Sequence, residues 1–159
     1  MTYYVYSDGS TRNNGHADAV GAWAYVILDE GKNEIFHDCQ AEKGTTNQRM
    51  ELIAATNALD YLFYHGVIKP FDNVVLYTDS AYLHNCYRQH WWWGWLKNGW
   101  KNSKKEPVAN KDLWEALIEY FDRPDVEFIK VKGHADNEWN NYVDELAQSA
   151  SRRLQEEKE

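Results

Sequence analysis

Cysteine is nearly absent: of 159 residues only Cys39 and Cys86 carry a thiol, with neither metal-ligand spacing nor a close partner in sequence. That excludes a disulfide framework and a thiolate metal centre, and both are expected as reduced thiols outside the chemistry. Long apolar runs are absent too. No stretch reaches the roughly eighteen consecutive apolar residues that a spanning helix needs, and Met1-Thr2-Tyr3-Tyr4-Val5 has no basic segment leading into an apolar one. Neither a signal peptide nor a membrane partner is therefore expected, and the expected compartment is the cytoplasm. Proline is scarce, at three residues, and no low-complexity or charged block is long enough to act as a linker.

What is present suits one packed domain. A hydrophobic fraction of 43%, with 15% aromatic residues, is enough for a core at this length. The expected division is a single domain over 1–159, with about 1–150 as core and 151–159 as helix end and tail. Alternation at 2–8 and the β-branched, aromatic run Val20 to Leu28 predict two strands, separated by turn chemistry at Arg12-Asn13-Asn14-Gly15. Glu34 to Gln40 predicts a third, completing an antiparallel meander. From Thr45 the period becomes helical: Thr45 and Gln48 fit a capping box, and Leu52, Ala55, Leu59 and Leu62 recur until Gly66 and Pro70. Asn73 to Thr78 is a short apolar run after a helix, predicting a buried parallel strand. Helices are predicted over Ala81 to Gln89, Lys111 to Phe121 and Asn137 to about Gln155, with a strand at Val126 to Val131. The order βββαβ, helices, βα predicts an α/β fold, a mixed five-stranded sheet flanked by helices.

Basic residues are outnumbered 17 to 25, and the net charge of −8 weighs against a polyanionic partner. Their distribution argues the other way. Between Arg88 and Lys111, six basic residues (Arg88, Lys97, Lys101, Lys104, Lys105, Lys111) meet one acid, Glu106, so this stretch carries +5 and the remainder −13. With a screening length of about 8 Å at physiological salt, such a patch can meet a polyanion while distant acids are hidden. Trp91 to Lys105 also holds five of the eight tryptophans.

Four acids stand in distinctive local contexts. Ser7-Asp8-Gly9-Ser10 closes the first predicted strand, Thr46-Asn47-Gln48-Arg49-Met50-Glu51 opens a helix, Thr78-Asp79-Ser80 closes another strand, and Val143-Asp144-Glu145-Leu146-Ala147 lies in the last helix. In an open α/β sheet, ligands gather outside the carboxyl ends of strands, where Asp8 and Asp79 are predicted. Taken singly, each acid is ordinarily a cap or turn residue. Gathered together, they would repel one another unless divalent cations filled the cluster.

With Lys132-Gly133-His134-Ala135 ten residues before Asp144, these segments resemble type 1 ribonuclease H, and the resemblance covers nearly the whole chain. It implies the ribonuclease H-like fold with a basic, tryptophan-rich protrusion, and no separate hybrid-binding module. It implies an endonuclease that hydrolyses the RNA strand of an RNA/DNA hybrid to 5′-phosphate and 3′-hydroxyl ends. Two Mg²⁺ ions, with Mn²⁺ as substitute, are implied on Asp8, Glu51, Asp79 and Asp144. Asp8 would lie between both, Asp144 on the nucleophile side, and Glu51 and Asp79 on the leaving-group side. His134 is implied as an assistant to proton movement, a solvated loop histidine being the bland alternative. Asn14, Asn47 and Gln48 match positions that contact nucleic acid, although capping accounts equally for Gln48. Trp100 with Asn110 resembles the contact to a DNA-strand sugar and phosphate, with Lys97, Lys101, Lys104 and Lys105 supplying the basic patch. Trp91 and Trp95, four apart, are expected to pack the protrusion onto the domain.

The sequence departs from the common pattern in two places. Ala81 stands where many members have Gln, and Leu96, Asn98 and Ala109 stand where Lys or Arg is frequent, which puts part of the substrate affinity in doubt. Four-acid exonucleases usually begin Asp-x-Glu, which Asp8-Gly9-Ser10 lacks, and integrase relatives lack the Lys-Gly-His loop. An inactive binder has no reason to keep four repelling acids, and a structural Ca²⁺ site needs no basic protrusion. The expected state is a monomer.

Overall fold

The computed structural model describes residues 1–12, 16–131 and 137–156. Five strands form one mixed sheet: β1 (Thr2–Arg12), β2 (Val20–Leu28), β3 (Glu34–Lys43), β4 (Asn73–Thr78) and β5 (Val126–Lys130), in the order β3-β2-β1-β4-β5. The first three pair antiparallel, while β4 and β5 join β1 in parallel. Five helices accompany them: α1 (Asn47–Tyr64), α2 (Ala81–Gln89), α3 (Trp91–Asn98), α4 (Lys111–Phe121) and α5 (Glu138–Glu156).

The sheet has a core on each face because alternate side chains of a strand point to opposite sides. On one side Val5, Ile27, Val74, Leu76 and Phe128 bury against Met50, Leu59, Leu83, Trp114 and Leu117 of the helices α1, α2 and α4. On the other, Tyr6, Ala24, Val26 and Leu28 bury against Val143, Ala147 and Ala150 of α5. Strand β2, covered on both faces, is buried throughout, which is why it reads as a continuous apolar run.

Two expectations are corrected by packing, and a third is completed by it. Strand β1 does not close at Asp8: its parallel pairing with β4 ends at Ser7 and Thr78, but its antiparallel pairing with β2 continues to Arg12. The α1 cap is Thr46, whose Oγ1 accepts from the Arg49 backbone N–H at 3.3 Å. Thr45 is instead buried against the sheet. In the protrusion, Trp91 and Trp95 pack against the core as expected, partly buried, and Trp92, 2% exposed and 4.9 Å from the Phe121 ring, is the fully buried anchor beside them.

Candidate active site

The site forms where β1 and β4 part. Their pairing ends at Ser7 and Thr78, so Asp8 and Asp79, the next residue of each strand path, flank the opening crevice. Asp79 is held between two local constraints: the Ser80 backbone N–H donates to Thr78 Oγ1 at 3.1 Å, and Ser80 Oγ caps α2 by accepting from Leu83 N–H at 3.1 Å. Ser80 is thus a helix cap as well as a small turn residue. Asp8 receives the Gly9 backbone N–H on its Oδ1 at 2.9 Å and is 4% exposed.

Glu51 comes from the second turn of α1, and glycine lets it arrive. A β-carbon on Gly9 would lie 2.5 Å from both the Glu51 backbone nitrogen and the Met50 carbonyl carbon. One on Gly21 would lie 2.5 Å from Thr45 Cγ2. Neither glycine is a turn device here. Both are seats in the sheet for the start of α1, as an isolated glycine in a strand often signals a close approach of another backbone. That signal was present in Gly21, set among Val20, Ala22 and Trp23, and sequence reasoning missed it.

Asp8, Glu51 and Asp79 each offer an oxygen, and these oxygens lie within 4.8 Å of one another. One Glu51 oxygen, Oε2, is buried without a hydrogen-bond partner among the described residues. Asp144 on α5 stands outside this tight trio. It is near enough to share a hydrogen-bond contact with Asp8 and to act by charge on Asp79, and Gln148 Nε2 donates to its Oδ2 at 3.0 Å.

The electrostatics follow from crowding like charges in a buried place. Burial first, then the charges of Asp79 and Asp144, push the Asp8 carboxyl up to about 9. Glu51 is raised by burial and then by Asp8 and Asp79. Asp79 is raised mainly by burial, with a hydrogen bond from Asp8 and the charge of Lys130 working against the shift. Without a cation, the cluster therefore retains a proton that belongs to the coupled group as a whole, since Asp8 and Glu51 are both raised. Oxygen-only donors, a raised carboxyl and an unpartnered buried oxygen fit a hard divalent cation, which would replace that proton.

The other expected residues fall into four groups. Asn47 and Gln48 are exposed in the first turn of α1, beside Glu51. Lys97 lies in the last turn of α3, and Lys101, Lys104 and Lys105 lie on an exposed loop. Asn98 both donates to the Lys101 carbonyl and accepts from its N–H, and Asn102 Oδ1 accepts from the Lys104 and Glu106 N–H groups. Trp100 and Asn110 both have left-handed backbone, with φ of 67° and 61°, and Lys111 Nζ sits 5.7 Å from the Trp100 ring centre. Asn14 and His134 lie outside the described residues. Arg49, which joins α1 to α4, was not foreseen.

A mixed sheet with acids at the parting of its first and fourth strands, in a chain that also carries a basic helix and loop, defines the ribonuclease H-like class of α/β fold. Comparison with known proteins is specific. The RNase H family model matches residues 1–152. A Ribonuclease H of Clostridium botulinum is 45% identical over 147 residues, spanning 92% of this chain and 93% of the relative. Among solved structures, LC9-RNase H1, a type 1 RNase H with the type 2 active-site motif, is 27% identical with a TM-score of 0.76, covering 95% of this chain and 72% of that one. LC11-RNase H1 in complex with RNA/DNA hybrid shares the fold, with a TM-score of 0.71 at 21% identity over 96% of this chain and 98% of that one. The chain belongs to the ribonuclease H family and is a nuclease, a hydrolase of phosphodiester bonds.

Proposed function

We propose that this protein hydrolyses the RNA strand of RNA/DNA hybrids endonucleolytically, leaving 5′-phosphate and 3′-hydroxyl ends, with two Mg²⁺ ions held by Asp8, Glu51, Asp79 and Asp144. The observation that carries the reading is the trio of carboxylates within 4.8 Å, with a buried Glu51 oxygen that has no partner among the described residues. The names of the curated relatives and the hybrid bound to LC11-RNase H1 support the substrate class. Bound there, a pair of divalent cations supplies a nucleophilic water at neutral pH and a counter-charge for the leaving oxygen.

Each residue has a task. Asp8, reached by the charges or hydrogen bonds of the other three, would help to hold both cations. Asp144 would hold the cation that supplies the nucleophile, and Glu51 and Asp79 the cation that supplies the counter-charge for the leaving oxygen. His134 assists proton movement at the scissile phosphate or the departing product. Asn14, Asn47 and Gln48 read the 2′-hydroxyls that distinguish RNA from DNA, while Trp100, Asn110 and the lysines of the protrusion hold the DNA strand. Residues 1–159 act as one catalytic domain, a cytoplasmic monomer. Among the described residues no helix is long and apolar enough to cross a membrane.

End-labelled RNA/DNA hybrid, duplex RNA and duplex DNA, incubated with Mg²⁺, Mn²⁺ or EDTA, test the proposal directly. Cleavage confined to the hybrid's RNA strand and abolished by EDTA is expected. Cleavage of duplex DNA, or cleavage surviving EDTA, would overturn it.

A further inference from the structure

Asn110 precedes α4, where an asparagine ordinarily caps the helix with its side chain. Here it does not. The Asn110 side chain makes no cap hydrogen bond, and its backbone is left-handed with φ of 61°, a conformation asparagine tolerates at a cost. Its Oδ1 accepts instead from Arg49 Nη1 at 3.3 Å. A guanidinium has donors only, so the atom facing it has to be the carboxamide oxygen, and the amide –NH₂ is turned away from Arg49.

Arg49 is itself held from two sides. Its Nη1 and Nη2 donate to Asp112 Oδ1 and Oδ2, both at 3.2 Å, a bidentate pair whose planar fork fixes the guanidinium orientation. Its backbone N–H donates to the Thr46 cap at 3.3 Å, two residues before Glu51 in the chain. One residue therefore joins the turn that carries Glu51 to the start of α4.

We propose that Arg49 is a positioning residue for nucleic-acid binding: it fixes the Asn110 carboxamide oxygen-inward, so that the –NH₂ group is offered as a donor to a phosphate oxygen of the DNA strand. This rests on the reading of Asn110 as a nucleic-acid contact. The missing cap bond and the left-handed backbone are the structural cost of that presentation. It also sets the spacing between the DNA-strand contact and the carboxylate cluster, because Arg49 and Glu51 share the first two turns of α1.

The test is a double-mutant cycle on the affinity for a fluorescein-labelled RNA/DNA hybrid in EDTA, where no turnover occurs. Arg49→Gln and Asn110→Ala should each weaken binding about fivefold, the size of one hydrogen bond to a charged group or less. The double variant should bind no worse than Asn110→Ala. Asn110→Asp, which keeps an acceptor for Arg49 and removes the donor, should weaken binding at least as much while leaving the melting temperature near wild type. In Mg²⁺ the change in Arg49→Gln should fall on KM rather than kcat.

Multiplying losses in the double variant would mean that Arg49 acts independently of Asn110 and would overturn the proposal. So would unchanged affinity in Arg49→Gln beside weakened affinity in Asn110→Ala. Unchanged affinity in Asn110→Ala would remove the underlying assignment of Asn110 instead. If Arg49→Gln does not fold, Asp112→Ala, which frees one side of the guanidinium, should weaken binding through the same bond, and wild-type affinity there overturns the proposal.

Discussion

A β-carbon on Gly9 would lie 2.5 Å from the backbone nitrogen of Glu51. Two backbones in contact cannot yield as a flexible side chain can, so the distance between the Asp8 and Glu51 carboxylates depends on a missing methyl group. Gly9→Ala should therefore push α1 off β1. Overpacking of this kind costs about 1–3 kcal/mol, read as a lower urea midpoint. The larger expected effect is on turnover, through displacement of Glu51, with hybrid affinity in EDTA nearly unchanged. Wild-type turnover in Gly9→Ala would show that the cluster tolerates the shift.

Asp8→Asn or Asp79→Asn should abolish Mg²⁺-dependent cleavage of the hybrid while leaving the fold intact, because each removes a cation-holding oxygen and one of several repelling charges. Isothermal titration with Mg²⁺ should show weakened binding in parallel. Full activity in either variant would refute the cation-site assignment.

The same cluster has a signed pH dependence. The Asp8 carboxyl is held at about 9 in the folded, cation-free protein, against roughly 4 in the unfolded chain. A group raised on folding stabilises fully below its unfolded value, and that stabilisation is lost as pH rises through the folded one. In EDTA, the melting temperature of Asp8→Asn relative to wild type should rise between pH 5 and pH 8.5, and Mg²⁺ should reverse the trend by stabilising only the wild type. A melting temperature of Asp8→Asn relative to wild type that falls with pH in EDTA would contradict this sign.

His134→Ala should lower turnover by about 10- to 1,000-fold, the range of a proton-assisting group, and leave cation binding in place. That is a slow enzyme, distinct from the inactive acid variants. Unchanged turnover from pH 6 to 9 would return His134 to the role of a solvated loop histidine.

Replacing Lys97, Lys101, Lys104 and Lys105 together by Ala should raise KM and flatten the salt dependence of binding, by about 0.9 in slope for each phosphate that is no longer neutralised. The rate at saturating hybrid should change far less. Equal slopes would mean that the protrusion does not touch the nucleic-acid backbone.

Much of this molecule was legible without coordinates because its signals are local. Strand β2 could be read from its β-branched and aromatic run, α4 from helical periodicity, and β4 from a short apolar stretch after a helix; all three match the structure closely. The acids could be picked out by their immediate neighbours in sequence. The ends were harder. Strand β1 reads as closing at Asp8 because acid and glycine resemble a turn, yet pairing with β2 carries it on to Arg12. The α1 cap fell on Thr46 rather than Thr45 because Thr45 is drawn under the helix against Gly21.

By itself, then, the sequence determined the elements, their order and which acids are candidates, since hydrophobic period and turn chemistry act over a few residues. Only the tertiary structure decided how close those acids come, that Asp8 is buried and its carboxyl raised together with that of Glu51, that Trp92 anchors the protrusion, and that Arg49 reaches Asn110 and Asp112 across 61 and 63 residues of chain. These are relations between distant segments. They depend on backbone-to-backbone contact at Gly9 and on shared burial, and neither leaves a periodic trace along the chain.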